Sequence, residues 1–202
     1  MDNTETRIKN AARNVFIAKG MEGARMQEIA NEAGINKALL HYYFRSKQKL
    51  FDAIFEEAFR QFIPAMDETM ESGKSPQEIV TFFIEAYFGV LEKNPFLPQF
   101  VLSELNRDPS RLATYMADKL GLSVLVGKVF ELFNKEGYNI KNPQQFMVSI
   151  ISMIIFPFVA RPILHHIVFQ GNQEMIDDFY AERKKHVIDS ALQLLSASQN
   201  EA

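Results

Sequence analysis

An all-α fold of about nine helices is what this sequence predicts, and three observations carry the prediction. Apolar residues recur with a 3.6-residue period almost throughout, no stretch keeps the two-residue alternation of a strand, and Pro, Gly, Asn and Ser fall at helical intervals. The chain has 202 residues, 47% hydrophobic and 23% charged, the make-up of a folded globular protein. Eighteen Phe and nine Met with no Trp give an interior of flat or flexible side chains. That suits a helical bundle with an adaptable cavity, and equally a plainly packed one. The lack of Cys excludes disulfides and thiolate metal sites, and a reducing cytoplasm is the expected location.

Ile8, Ala12, Val15, Phe16 and Lys19 follow helical spacing, so Asp2 to Lys19 is expected to be an amphipathic helix stopped by Gly20. Two short helices follow, Arg25 to Ala33 and Lys37 to Phe44. They are joined through Gly34, whose freedom at positive φ permits a sharp turn, and Asn36 is placed to cap the second. Ser46 opens a fourth helix, carrying Leu50, Ile54, Phe55, Ala58 and Phe62, with a kink expected near Pro64 and an end at Gly73. Ser75-Pro76-Gln77-Glu78 combines an N-cap, Pro at the first helical position and a capping-box Glu, so a fifth helix starts there and runs to Lys93. Asn94-Pro95 begins a short sixth. Asp108-Pro109 begins a seventh that reaches Glu136, with Gly121 as the candidate break. Asn142-Pro143 begins an eighth, bent by Pro157 and Pro162 and closed by Gly171; a ninth runs from Gln173 to Ser198, after which the chain is expected to fray.

The N-terminal MDNTETRIKN is acid-bearing and has no apolar segment, so neither a secretory signal nor an anchor is expected there. The apolar run Phe146 to Ala160 would rise only roughly 22 Å as a helix, against about 30 Å of hydrocarbon, so a buried helix is expected rather than a membrane span.

The net charge of −3 is unevenly spread: residues 1–60 hold ten Lys/Arg against eight Asp/Glu, the remainder twelve against seventeen. Gly34 to Leu50 contains Lys37, Arg45, Lys47 and Lys49 and no acid. Within it, Leu40 and Phe44 can join Ile29, Ala30 and Ile35 in a small core, while Asn36, Lys37, Leu39, His41, Tyr42 and Tyr43 project outward. Their chemistry suits double-stranded DNA: the second helix of a helix-turn-helix meets base edges with its N-terminal side chains, and flanking polar and aromatic groups bond phosphates. Lys37 can donate to guanine and Leu39 can touch a thymine methyl; Tyr43 and Lys47 suit the backbone.

In these residues the sequence resembles the tetracycline-repressor (TetR/AcrR) family. The likeness lies in Ile29-Ala30, the Ala33-Gly34-Ile35 turn, the Leu40-x-x-Tyr43-Phe44 ending and Ser46-Lys47-x-x-Leu50, and it covers about the first 55 residues. It implies a homodimeric DNA-binding regulator, usually a repressor, released by a small ligand, with a helix-turn-helix domain over residues 1–46 and a ligand-binding and dimerisation domain over 47–202. It also implies that Asn36, Lys37, Ala38, His41, Tyr42, Tyr43 and Lys47 fall where the family contacts its operator. Leu39, Arg25 and Gln27 complete the expected DNA-binding set. Three positions depart from the family pattern. Ala24-Arg25 stands where a hydroxyl residue often opens the second helix, Ala38 where Gly is frequent, and His41 where Tyr is common, which weakens one phosphate contact or makes it pH-dependent.

Beyond residue 60 the expectations concern a pocket. Phe83, Tyr87, Phe96, Phe100, Tyr115, Met116, Met153 and Phe156 are its candidate apolar lining, alongside core packing as the alternative role for each. Glu104, Arg107 and Arg161 are its candidate polar groups, because a charge beside an apolar cavity needs a partner that a ligand can provide. His165 and His166 are adjacent and turned about 100° apart on a helix, so they cannot share a metal; no cofactor is implied. No Gly-x-Ser-x-Gly, phosphate loop or catalytic carboxylate pair is present, so an enzyme is not expected. The eighth and ninth helices are expected to pair with their copies across a two-fold axis. The alternative is a helical small-molecule-binding or scaffolding protein that binds no operator.

Overall fold

The structure, a computed structural model, describes residues 4–138 and 140–197. Among these the chain is helical with no strand, in the order α1 (Thr4–Gly23), α2 (Met26–Glu32), α3 (Lys37–Tyr43), α4 (Lys47–Arg60), α5 (Phe62–Glu71), α6 (Pro76–Lys93), α7 (Leu97–Arg107), α8 (Pro109–Thr114), α9 (Leu122–Lys135), α10 (Pro143–Val159), α11 (Arg161–Ile163) and α12 (Gln173–Ala197). α8 and α11 each run on into a single π turn, Tyr115–Lys119 and Leu164–Val168. The expected start at Asp2 and the fraying from Ser198 lie outside the described residues.

The count exceeds nine because three expected helices are each broken, at places local chemistry explains. The fourth breaks at Gln61, between α4 and α5. Pro64 has no N–H for the Arg60 carbonyl and its ring crowds that oxygen, so α4 ends there, while Pro64 fits the first turn of α5, where N–H groups have no helical partner. The seventh breaks at Gly121, which takes φ 64°. The eighth breaks at Ala160, ahead of Pro162, and its two parts lie 64° apart.

Inside α10, Pro157 deprives the Met153 carbonyl of its helical donor. α12 repairs the loss: Arg183 Nη2 donates to Met153 O at 2.9 Å, and Tyr180 Oη donates to the Pro157 carbonyl at 2.7 Å. The apolar eighth helix is thus bent and pinned to its neighbour, and among the described residues no single helix is long and apolar enough to cross a membrane.

One core runs the length of the molecule. Ile8, Ala12, Phe16, Ile29, Ala30 and Leu40 are buried among α1–α3, and Phe51, Ile54, Phe55 and Phe59 carry burial along α4 into the rest of the bundle. Phe16 meets both Phe51 and Phe96, and Phe51 stacks on Phe100, so aromatic rings join the N-terminal helices to α7. α6 packs between α5 and α12 at the centre of the remainder.

Candidate nucleic-acid interface and cavities

The N-terminal three helices are organised to present α3. Gly34 turns the chain at φ 63°, with the Ile35 amide bonded to Ala30 O at 3.0 Å. Arg7 Nη2 fastens the Ala33 carbonyl at 2.7 Å, so α1 holds the turn from behind. Asn36 caps α3 by accepting from the Leu39 amide at 2.8 Å, and Ser46 caps α4 by accepting from Lys49 N at 3.1 Å. Leu40 and Phe44 point into the core and therefore turn Lys37, Ala38, Leu39, Tyr42 and Tyr43 outward.

Tyr42 is 81% exposed and its ring meets Tyr43 edge to face at 5.5 Å between centroids. Leu39 and Tyr43 are partly open at 37% and 38%. Leu39, Tyr42 and Tyr43 thus leave apolar surface open on one seven-residue helix. His41 is half-buried with Nδ1 3.3 Å from the Arg45 carbonyl. Arg25 and Gln27 are exposed at the start of α2; the Arg25 backbone amide donates to Glu28 and the Gln27 side-chain amide to Asn31.

Lys47 differs from its expectation. Its ammonium donates to the carbonyls of Met21, Glu22 at 3.3 Å and Ala24 at 3.0 Å, at the C-terminal end of α1. All three protons are engaged within the protein, so a phosphate contact would require those bonds to break. Two further polar groups that the sequence reading passed over hold α1 to α4: Lys9 and Arg13 (2.7 Å) both pair with Glu57. Burial pushes the Glu57 carboxyl up, but the hydrogen bonds from Lys9 and Arg13 outweigh it and hold the group below the usual carboxylate range.

The candidate pocket residues do not converge on one cavity. Phe83 alone of them lines a wholly apolar void of about 60 Å³ enclosed by α5, α6, α9 and α10. Tyr87 is packed among Phe59, Phe62 and Phe83, and burial pushes its hydroxyl up to about 12. Tyr115 lies against Phe55 and donates to the Asp52 carbonyl at 3.2 Å; burial, with help from Glu56 and Asp52, raises it to about 12. Met116 and Met153 are half-buried against the core, whereas Phe156 is 59% exposed on the outer side of α10. Phe96, Phe100 and Arg161 instead wall a cleft of about 750 Å³ where α1 faces α7 and α11.

Glu104 and Arg107 belong to an ion cluster. The buried Glu104 carboxylate receives Arg107 at 2.8 Å and Arg111 at 2.6 Å; Arg107 also reaches Gln48 at 2.8 Å and Arg111 approaches Asp52 at 3.6 Å. Sequence reasoning misses Gln48, Asp52 and Arg111; Glu104 and Arg107 at i and i+3 on α7 are a usable signal, whereas Arg111 lies on the next helix. His165 and His166 stack edge to face at 4.6 Å, and among the described residues no three ligating side chains gather as a metal site would need.

Residues 8–54 match the family model of bacterial regulatory proteins of the tetR family. Over 171 residues the chain is 23% identical to the fatty acid metabolism regulator protein of Bacillus subtilis (strain 168), covering 82% of this chain and 88% of that one. It is 32% identical over 90 residues to the HTH-type transcriptional repressor NicS of Pseudomonas putida, 43% of this chain and 42% of that. Among solved structures, the TetR family transcriptional regulator PfmR from Thermus thermophilus superposes with a TM-score of 0.68 at 20% identity, over 94% of this chain and 97% of its own.

Proposed function

The chain belongs to the tetR family of bacterial regulatory proteins, and from that premise we propose that it is a one-component repressor that binds a near-palindromic operator as a dimer and leaves it on binding an apolar or amphipathic small molecule. That it is a DNA-binding transcriptional regulator rather than an enzyme follows from the family. The observation that carries the finer reading is the outward face of α3. Lys37, Leu39, Tyr42 and Tyr43 stand exposed on a helix with an ordered cap, in a stretch from 34 to 50 without one acid.

In this reading residues 1–46 are the reading head and 47–202 the receiver. Lys37 and Leu39 meet base edges; Asn36, Ala38, Tyr42, Tyr43 and His41 line the groove walls, with Arg25 and Gln27 at the phosphates beside α2. An operator-binding role also implies the cytoplasm. Dimerisation through α10–α12 is supported by the exposed apolar positions Val148 and Phe156, two turns apart on α10, together with Ile163, Ile167 and Leu194. A two-fold axis there would set two reading heads for successive major grooves, roughly 34–36 Å apart or one further turn.

The test is DNase footprinting and gel-shift titration of the full chain on the DNA upstream of its own gene, at several salt concentrations. Protection of two symmetric half-sites, with affinity falling steeply as salt rises, is expected. No protected bases at any salt would leave the helical small-molecule-binding or scaffolding protein as the reading.

A further inference from the structure

The cleft of about 750 Å³ lies at the seam between the reading head and the receiver, and its walls come from both. Its floor is aromatic: Phe16, Phe96 and Phe100 are almost fully buried and Phe158 is half-buried. One rim carries hydrogen-bond donors, with Arg161 at the start of α11 and His165 and His166 on the π turn that follows it. The opposite rim is the last turn of α1, where Gly20 leaves helical geometry at φ 67° and Lys19 is already paired with Glu28 at 2.8 Å. Glu22 is the one acid in the lining.

Two groups on the Arg161 rim lack the partners their chemistry calls for. Among the described residues no carboxylate pairs with Arg161, whose guanidinium rests 5.6 Å from the centre of the Tyr180 ring. The His165 Nδ1 atom is buried and has no hydrogen-bond partner in the protein. An unpartnered buried ring nitrogen costs free energy that a ligand oxygen recovers, and a planar guanidinium beside apolar walls favours an oxyanion. The π turn fits this picture, since such turns recur where a helix is reshaped around a functional group. By contrast the apolar void of about 60 Å³ inside the receiver has no polar wall and no room for a drug-sized molecule, which needs about 300–1,000 Å³.

We propose that this seam cleft binds an amphipathic anion, its acid group held by Arg161 and the two histidines and its apolar body laid on Phe96, Phe100 and Phe158. A molecule seated there touches the head and the receiver at once and so fixes the angle between them. The binding half of the proposal stands on the cleft alone; the regulatory half rests on the operator reading above.

The test uses the full chain and three probes: anilinonaphthalene sulfonate as a fluorescent amphipathic anion, dodecanoate as its competitor, and dodecanol as the uncharged counterpart. One sulfonate should bind per chain, dodecanoate should displace it, and dodecanol should compete about tenfold or more weakly. Arg161→Gln, at an exposed position, should weaken both anions about tenfold. Ser103→Trp, which fills the cleft, should abolish binding; should that variant melt early, Arg161→Gln decides. Saturating dodecanoate should lower operator affinity in the parent chain and not in Arg161→Gln. Anion binding that Arg161→Gln leaves unchanged, equal competition by dodecanol, or no binding at all overturns the site. Binding at the cleft with unaltered operator affinity overturns the regulatory half. Failure of the operator reading shows separately, as no operator binding before any probe is added.

Discussion

Replacing Lys47 by alanine separates two roles that predict opposite measurements. In the structure the Lys47 ammonium crosses from the start of α4 to the carbonyls of Met21, Glu22 and Ala24. Removing it leaves the carbonyl of the buried Ala24 without that donor and strips the C-terminal end of α1 of the positive charge that its dipole favours. A charged hydrogen bond of this kind is worth about 1.5–3 kcal/mol, and because one of the three acceptors, the Glu22 carbonyl, lies toward solvent, a loss of about 2 kcal/mol is expected. For a chain of this size that lowers the melting temperature by roughly 4–8 °C, read by circular dichroism. Operator affinity should fall by a similar factor at every salt concentration, because the head is less firmly set and no phosphate contact has gone. A phosphate-binding Lys47 would do the reverse: an unchanged melting temperature and a salt slope reduced by about 0.9. That second pattern would refute the assignment of Lys47 to the α1–α4 joint.

Lys37→Ala should cost about 1–3 kcal/mol of operator affinity and flatten the preference at one base position, checked by gel shift on base-substituted operators. Glu57→Gln tests the α1–α4 clamp through pH. The Glu57 carboxyl is depressed in the folded chain, so its stabilisation is fully present above the ordinary carboxylate value of about 4.3 and is lost as pH falls through the lower folded value. The variant should therefore melt a few degrees below the parent at pH 7, with the gap closing in acid. Phe156→Glu, on the exposed side of α10, should shift the chain from dimer to monomer in sedimentation velocity and weaken operator binding, while leaving the monomer folded.

The N-terminal region was legible because its constraints are local. Gly34, Asn36 and Ser46 each do within four residues what their chemistry dictates, and the outward residues of α3 follow once Leu40 and Phe44 are assigned inward. Pro64, Gly121 and Pro162 were visible as breakers, but whether a breaker bends a helix or ends it depends on neighbours distant in sequence. Pro157 shows the difference: it stays inside α10, where Arg183 of α12 takes up the Met153 carbonyl it orphans and Tyr180 bonds its own carbonyl. The pocket was the least legible part. Aromatic and methionine residues on a helix face serve core and cavity alike, and Phe83, Tyr87 and Phe100 part company only when α7 and α9 are set against α4 and α6. Lys47 is expected at the DNA backbone from its place one residue into the helix after α3, whereas the carbonyls it meets within the protein lie more than twenty residues upstream and are not legible from that neighbourhood.

These contacts also join the two parts. Lys47 and Glu57 fasten α4, the first helix of the receiver, to α1 of the reading head at two points, by hydrogen bonds and ion pairs whose loss would each be felt. Against the receiver the same helix offers Phe51 and Phe55 to flat aromatic partners and offers Gln48 and Asp52 to the tips of Arg107 and Arg111. The receiver side of α4 is held by buried rings and by the ion cluster around the buried Glu104, and its head side by the partly exposed pairs on Glu57 and the bonds of Lys47. The buried Glu104 holds both arginines from the receiver side and so ties α7 to α8 and both to the start of α4. α4 packs on α1 on one side and on α5 on the other, α7 also meets α1, and α12 packs on α6 and α10, so in the ligand-release reading proposed above α4 and α7 are the helices that join head to receiver.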